Sequence, residues 1–166
     1  METAKRTKAA RRSPVAAANR IPVRMLMTTP AVTVRPELTL DSLRDLLLRQ
    51  GLSRVVVVDG AGRAVGMVSL TDLVVEEHQR GDDGERPRRA EERALPRGFH
   101  VESAEKTVGD VMSPKALTLA ETVTVAQAAE TLVAHHLHGA PVCSKSGVVI
   151  GFVSSTDLLS WLAGLR

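Results

Sequence analysis

Apolar positions along the chain fall into two kinds of run, and each kind occurs twice. Leu40, Leu43, Leu46 and Leu47 recur at helical spacing, as do Val125, Ala128, Ala129, Leu132 and Val133. Each set predicts an amphipathic helix. Thr124-x-x-Gln127 forms a capping box for the second helix, and Thr39 with Asp41 starts the first. Short extended pieces, Ala31 to Val34 and Ala116 to Leu119, precede these helices. Val55 to Val58 is a wholly apolar run bounded by Asp59-Gly60-Ala61-Gly62, which reads as a buried strand entering a hairpin turn. Ala64 to Val68 returns from that turn, and another helix opens near Ser69.

The doubling is an internal repeat. Adding 85 to each position from Val23 to Leu73 lands on Val108 to Leu158 without a gap, with 15 identities in 51 positions. Unrelated segments of ordinary composition share about one position in fifteen to twenty. The identities include Met27 with Met112, Thr39 with Thr124, Gly66 with Gly151, and Ser69, Thr71 and Asp72 with Ser154, Thr156 and Asp157. Each copy reads as β-α-β-β-α, an α/β (α+β) arrangement. A unit of about fifty residues buries too little core to stand alone. Two copies packed as a pseudo-twofold pair, with clefts along the symmetry axis, are therefore expected.

The boundaries that follow are a basic tail over 1–20, repeat one over 21–80, a charged connecting insert over 81–106 and repeat two over 107–166. In the insert, Gly81-Asp82-Asp83-Gly84 and Pro87 break the periodicity, Glu85 to Arg93 alternates acids and bases as one solvated helix, and Phe99 and Val101 are candidate anchors onto the core. No apolar run approaches the ~20 residues that span a bilayer, so no membrane association is expected.

The net charge of +3 is unevenly placed. Residues 1–24 hold seven Lys and Arg against Glu2 alone, leaving 15 basic and 18 acidic side chains in the rest. The Lys-, Arg- and Ala-rich stretch from Thr3 to Asn19 shows no sustained apolar face and is expected to be disordered. No apolar region follows Arg11-Arg12-Ser13, so no export signal is expected. A basic tail invites a nucleic-acid reading with salt-sensitive, sequence-independent binding. Two Phe, one Trp and no Tyr leave little from which to build a base-stacking platform. The single cysteine, Cys143, lies in an apolar segment and reads as a buried structural thiol in a reducing cytoplasm.

Chemistry concentrates at Gly66-Met-Val-Ser69-Leu-Thr71-Asp72 and its copy Gly151-Phe-Val-Ser154-Ser-Thr156-Asp157. Here a strand runs straight into a helix, whose N-terminus offers backbone N–H groups and a positive dipole to an anion such as phosphate. Ser and Thr hydroxyls add donors, and the Asp is suited to accept from a pair of ribose hydroxyls. The same Ser-x-x-Asp also reads as a capping box that needs no ligand. His135, His136 and His138 fall at a helix end with no acidic or cysteine partner at ligand spacing, so no metal site is expected. His135 and His136 read as partners of the helix C-terminal dipole. No catalytic constellation and no Walker loop is present, so the chain is read as no enzyme.

Met27 with Ala31-Val-Thr-Val34, Ser53-Arg54 through Asp59-Gly60, and Gly66 through Asp72 resemble a CBS domain, named for cystathionine β-synthase. Val108 through Pro114, His138-Gly-Ala-Pro-Val142, and Ser154-Ser-Thr-Asp157 resemble it again. Together they resemble a tandem CBS pair, or Bateman module. The resemblance implies a regulatory module that binds an adenine nucleotide, AMP, ADP or ATP, or alternatively S-adenosylmethionine. It implies that Asp72 and Asp157 hold ribose, while Ser69, Thr71, Ser154 and Thr156 contact phosphate. It also implies that each cleft borrows a wall from the other copy, so that Leu52 and Leu137 would flank adenine. Nucleotide-binding relatives often place His and Arg side by side to neutralise phosphate. Here copy one has Ser53-Arg54 and copy two has His138-Gly139, and Val56 stands where copy two has Pro141. The two sites are therefore expected to differ. The resemblance further implies a homodimer through the helices of each copy, and a regulated target on another polypeptide.

Overall fold

The computed structural model of the chain describes residues 17–84 and 105–165. The readings placed on the tail before residue 17, on 85–93, and on Phe99 and Val101 lie outside the described residues.

Both copies adopt the expected β-α-β-β-α order in a mixed α+β fold. In copy one these elements are β1 (Thr33–Val34), α1 (Leu40–Gln50), β2 (Arg54–Val58), β3 (Ala64–Ser69) and α2 (Leu70–Gly84). A short helix α3 (Val108–Val111) and β4 (Ser113–Pro114) open copy two. Copy two continues with β5 (Leu119–Ala120), α4 (Val125–Ala134), β6 (Gly139–Cys143), β7 (Val149–Ser154) and α5 (Ser155–Leu162). Helix α2 runs through Gly81 to Gly84, four residues into the stretch read from sequence as the connecting insert.

Local chemistry explains the boundaries. Thr39 caps α1 by accepting from the Ser42 N–H, and Gly51, at φ 62°, ends it in the left-handed region where glycine is unstrained. In copy two the capping box Thr124–Gln127 starts α4, but His136 occupies the left-handed position, at φ 53°. The β2–β3 turn is held by the Asp59 carboxylate, which accepts from the Ala61 and Arg63 N–H groups at 2.8 and 2.9 Å. These bonds, the Arg63 one first, hold the Asp59 carboxyl below its ordinary value.

Strand β1 lies parallel to β2, and β2 pairs antiparallel with β3; β5, β6 and β7 repeat that order. One apolar core forms in each copy. The first centres on Leu43, Leu47, Val55, Val57 and Val68, the second on Ala128, Leu132, Ala140, Val142 and Val153. Cys143 is buried at the edge of the second, and burial pushes its thiol up from the ordinary value.

The opening segments are exchanged between copies. Val108 is fully buried in the core of copy one, with Val111 and Met112 packed beside it, while Val23 and Met27 join the core of copy two. Backbone bonds fix the exchange. Val108 N–H donates to the Leu38 carbonyl and Val23 N–H to the Val123 carbonyl, at 2.8 and 2.7 Å. Strand β4 adds to β3, with Ser113 opposite Met67, and Thr28 bridges to Phe152 in β7. Gly66 and Gly151 permit this passage. A Cβ on Gly66 would stand 2.8 Å from the Ser113 carbonyl oxygen, and one on Gly151 2.9 Å from that of Thr28. The glycine opening each repeated motif thus serves the crossing of the neighbouring copy's chain.

Candidate functional site

The exchange places two clefts where the copies meet. Each is built from a strand–helix corner of one copy and the β-strands of the other. At the first corner, Ser154 ends β7 and caps α5: its hydroxyl accepts from the Asp157 N–H at 3.2 Å. Asp157 Oδ2 accepts in return from the Ser154 N–H at 2.9 Å and from its hydroxyl at 2.6 Å. At the second, Ser69 and Asp72 make the same exchange, with Asp72 Oδ2 accepting from the Ser69 N–H and hydroxyl at 2.7 Å each. The capping-box reading is therefore realised at both corners. Ser155 and Leu70 N–H groups are also occupied, donating to the carbonyls of His138 and Ser53 at 2.9 Å. Only part of each helix N-terminus is left for an anion, so side-chain cations carry more of the charge complementarity.

The Asp157 cleft encloses about 450 Å3. Ser154, Thr156, Asp157, Phe152 and His138 come from copy two; Leu52, Arg54, Val56 and the Thr28 to Val32 segment come from copy one. Arg54 and His138, separated in sequence and carried by different copies, meet here. The Arg of one repeat and the His of the other thus line the same cleft.

The Asp72 cleft encloses about 430 Å3. Ser69, Asp72, Met67 and Arg54 meet Leu137, Ala116, Leu117, Lys115 and His135 of copy two. Thr71 is exposed and does not line it. The other nine residues singled out in the sequence line one cleft or the other, with Leu52 and Leu137 on opposite clefts and Arg54 on both. Both clefts lie in the range that accommodates a nucleoside-sized ligand.

Among the lining residues that were not singled out as site residues are Phe152, Met67, Lys115 and His135. Phe152 and Met67 are the repeat-equivalent residues between the motif glycine and valine. Their alternation with buried neighbours along β7 and β3 is the signal that turns them to the cleft. Lys115 and His135 bring positive or ionisable groups to the Asp72 cleft alone. Lys115 does so with a left-handed backbone, φ 60°, which local pattern does not announce.

The family model for the CBS domain matches residues 23–78 and 108–164. The chain belongs to the CBS domain family. The two matched stretches make it a tandem CBS pair, a class of domain that is generally regulatory rather than catalytic. A CBS domain-containing protein of Dictyostelium discoideum is 28% identical over 140 residues, which cover 84% of this chain and 90% of that protein. Among solved structures, CBSX2 of Arabidopsis thaliana in complex with AMP superposes with a TM-score of 0.68 at 21% identity. The superposition covers 87% of this chain and 98% of that one. The CBS domain pair of protein MJ0100, in complex with 5′-methylthioadenosine and S-adenosyl-L-methionine, gives 0.67 at 19% identity, covering 87% and 98%. At these identities the likeness establishes the fold. No helix among the described residues is long and apolar enough to cross a membrane.

Proposed function

We propose that this CBS pair is a regulatory module that binds a phosphate-bearing adenosine compound, AMP, ADP or ATP, in its two clefts. The convergence of Arg54 and His138 beside Asp157 carries the reading. It sets donors for phosphate next to a carboxylate suited to ribose, with Leu52, Val56 and Phe152 as apolar walls for a purine. Asp157 and Asp72 act as ribose acceptors in addition to capping their helices. S-adenosylmethionine, the ligand class of the MJ0100 structure, carries a sulfonium and an ammonium cation beside one carboxylate and no phosphate; the greater negative charge of the phosphate-bearing compound suits Arg54 better.

Binding acts by population shift: a ligand that contacts both copies favours the arrangement in which both walls of a cleft are in place. The regulated target is another polypeptide. The body of the module comprises 21–80 and 107–166, and a reducing cytoplasm suits its unpaired, buried Cys143.

We infer a homodimer through the helices, a reading that the exposed apolar surface supports. Val133, Leu159 and Leu162 are exposed beside an apolar groove of about 900 Å3 between α4 and α5. Leu48 and Val74, the repeat equivalents of Val133 and Leu159, are exposed on copy one. Matched apolar faces on both copies suit an isologous pair.

Calorimetric titration of AMP, ATP, S-adenosylmethionine and a short DNA duplex tests the reading. AMP or ATP is expected to bind below the millimolar range, and Asp157→Asn to weaken it. Binding of no adenosine compound leaves the capping boxes without a ligand role. Binding of the duplex alone, abolished by deleting residues 1–20, replaces the reading with a nucleic-acid one.

A further inference from the structure

Arg54 is the first residue of β2 and stands opposite Ser69, at the corner of the Asp72 cleft. It also lines the Asp157 cleft, in company with Ser53, Val55 and Val56. The repeat offers no second copy of it, because its equivalent is Gly139. A side chain is excluded there as the chain now stands: a Cβ on Gly139 would lie 2.8 Å from the Val153 carbonyl oxygen and 2.6 Å from Phe152 Cε1. Arg54 is half-buried, and its guanidinium makes no ion pair or hydrogen bond with a described residue. Arg54 thus lines both clefts and has no ionic partner among the described residues. Among the described residues it is the only Lys or Arg lining the Asp157 cleft, whereas the Asp72 cleft also has Lys115.

We propose that the two clefts are negatively coupled through Arg54, which engages the phosphate in one cleft at the expense of the other. The proposal rests on the nucleotide reading above and adds the regulation of the same sites. A guanidinium forks onto one phosphate in a fixed plane, so it cannot serve two ligands with full geometry. The second phosphate to arrive loses that contact and meets a cation already neutralised. With both clefts filled, Arg54 stays with the Asp157 cleft, which has no other Lys or Arg among the described residues, and Lys115 holds the phosphate in the Asp72 cleft. A phosphate-free adenosine ligand makes no demand on Arg54 and fills the clefts independently. The consequence is a module that takes one nucleotide per chain over a wide concentration range, and a second only at high concentration.

Two-site calorimetry on the full chain tests this, with AMP and with adenosine, in wild type, Arg54→Gln, and two cleft-blocking variants. Ala31→Trp fills the Asp157 cleft and Ala116→Trp, its repeat equivalent, fills the Asp72 cleft. In wild type the second AMP is expected to bind on the order of tenfold more weakly than the first, the worth of one charge-assisted contact. Adenosine shows no such gap. Blocking the tighter cleft makes the other bind AMP about tenfold better than it does as second site, because Arg54 is released to it. Simple inequality of the clefts predicts no change on blocking, and that result overturns the coupling. In Arg54→Gln, blocking one cleft no longer changes AMP binding in the other; a change that persists there overturns Arg54 as the coupling residue. Circular dichroism checks the Trp variants, and Asp157→Asn and Asp72→Asn replace either one that fails to fold. If neither AMP nor adenosine binds wild type, the nucleotide reading and the coupling fall together. If AMP fills two equal, independent clefts, the coupling falls and the nucleotide reading stands.

Discussion

Asp157 is assigned two roles, helix cap and ligand contact, and its replacement separates them. The carboxylate is 8% exposed and accepts from the Ser154 N–H and hydroxyl. Asp157→Ala removes the cap, worth about 1 kcal/mol, and strands two part-buried donors, adding roughly 1–3 kcal/mol. The expected loss is thus about 2–4 kcal/mol, measured by urea unfolding without ligand. Asp157→Asn keeps a neutral acceptor in place, and its loss is expected near 1 kcal/mol. The same titrations with AMP at a hundredfold excess over its dissociation constant should stabilise wild type by a further ~2.7 kcal/mol for each filled cleft. In both variants the part of that increment from the Asp157 cleft should shrink or vanish. An Asp157→Ala protein within about 0.5 kcal/mol of wild type refutes the cap. An AMP increment that is equal in all three proteins refutes the ligand role, whatever happens to the cap.

Other expectations concern the exchange, the helix ends and acid. Gly151→Ala and Gly66→Ala should each cost about 1–3 kcal/mol in unfolding experiments, because the added methyl meets a backbone carbonyl that is itself hydrogen-bonded or strand-paired. Gly60→Ala, whose Cβ would find nothing nearer than 3.9 Å, serves as control and should be nearly neutral. His136→Gly should raise the melting temperature, relieving a left-handed strain of about 1–2 kcal/mol against a smaller entropic cost in the unfolded chain. Asp59 and Asp110 have carboxyl pKa values lowered from 3.8, by the Arg63 and Thr107 backbone N–H groups first. Their stabilisation is therefore present above the unfolded value and lost as pH falls through the folded one. Asp59→Asn and Asp110→Asn should flatten the acid limb of a stability–pH profile below about pH 4.

The elements themselves were legible because their signals are local. The Val55–Val58 run, the leucine spacing of α1 and the Thr124–Gln127 box each act within one turn or strand, and each produced the element expected of it. The Asp, Ser and apolar cleft residues were legible for a different reason, since duplication and family resemblance mark them twice. Thr71 shows the limit of that route: it shares the motif with Thr156 yet faces solvent outside the Asp72 cleft. The crossing of Val23–Met27 and Val108–Met112 was not legible. Both segments carry the same apolar pattern, and that pattern specifies a buried face without saying which core buries it. The resemblance implied that each cleft borrows a wall from the other copy, but the sequence did not announce that Arg54 and His138 line the same one. Helix α2 passes through Gly81 because glycine in a helix costs only about 1 kcal/mol, which sequence reading treats as a stop.

The exchanged opening segments also bear on descent. A single copy carries Val23 or Val108 at a place where it completes a neighbour's core, not its own. A one-copy ancestor built this way would have been finished only by a second molecule donating the same segment in return. Such a chain is an interlocked dimer before it is anything else. Duplication and fusion then convert a concentration-dependent encounter into an intramolecular one, and free the two halves to diverge. The difference between Arg54 in one copy and Gly139 at the equivalent place in the other is divergence of that kind: symmetry imposed by assembly became asymmetry available to function.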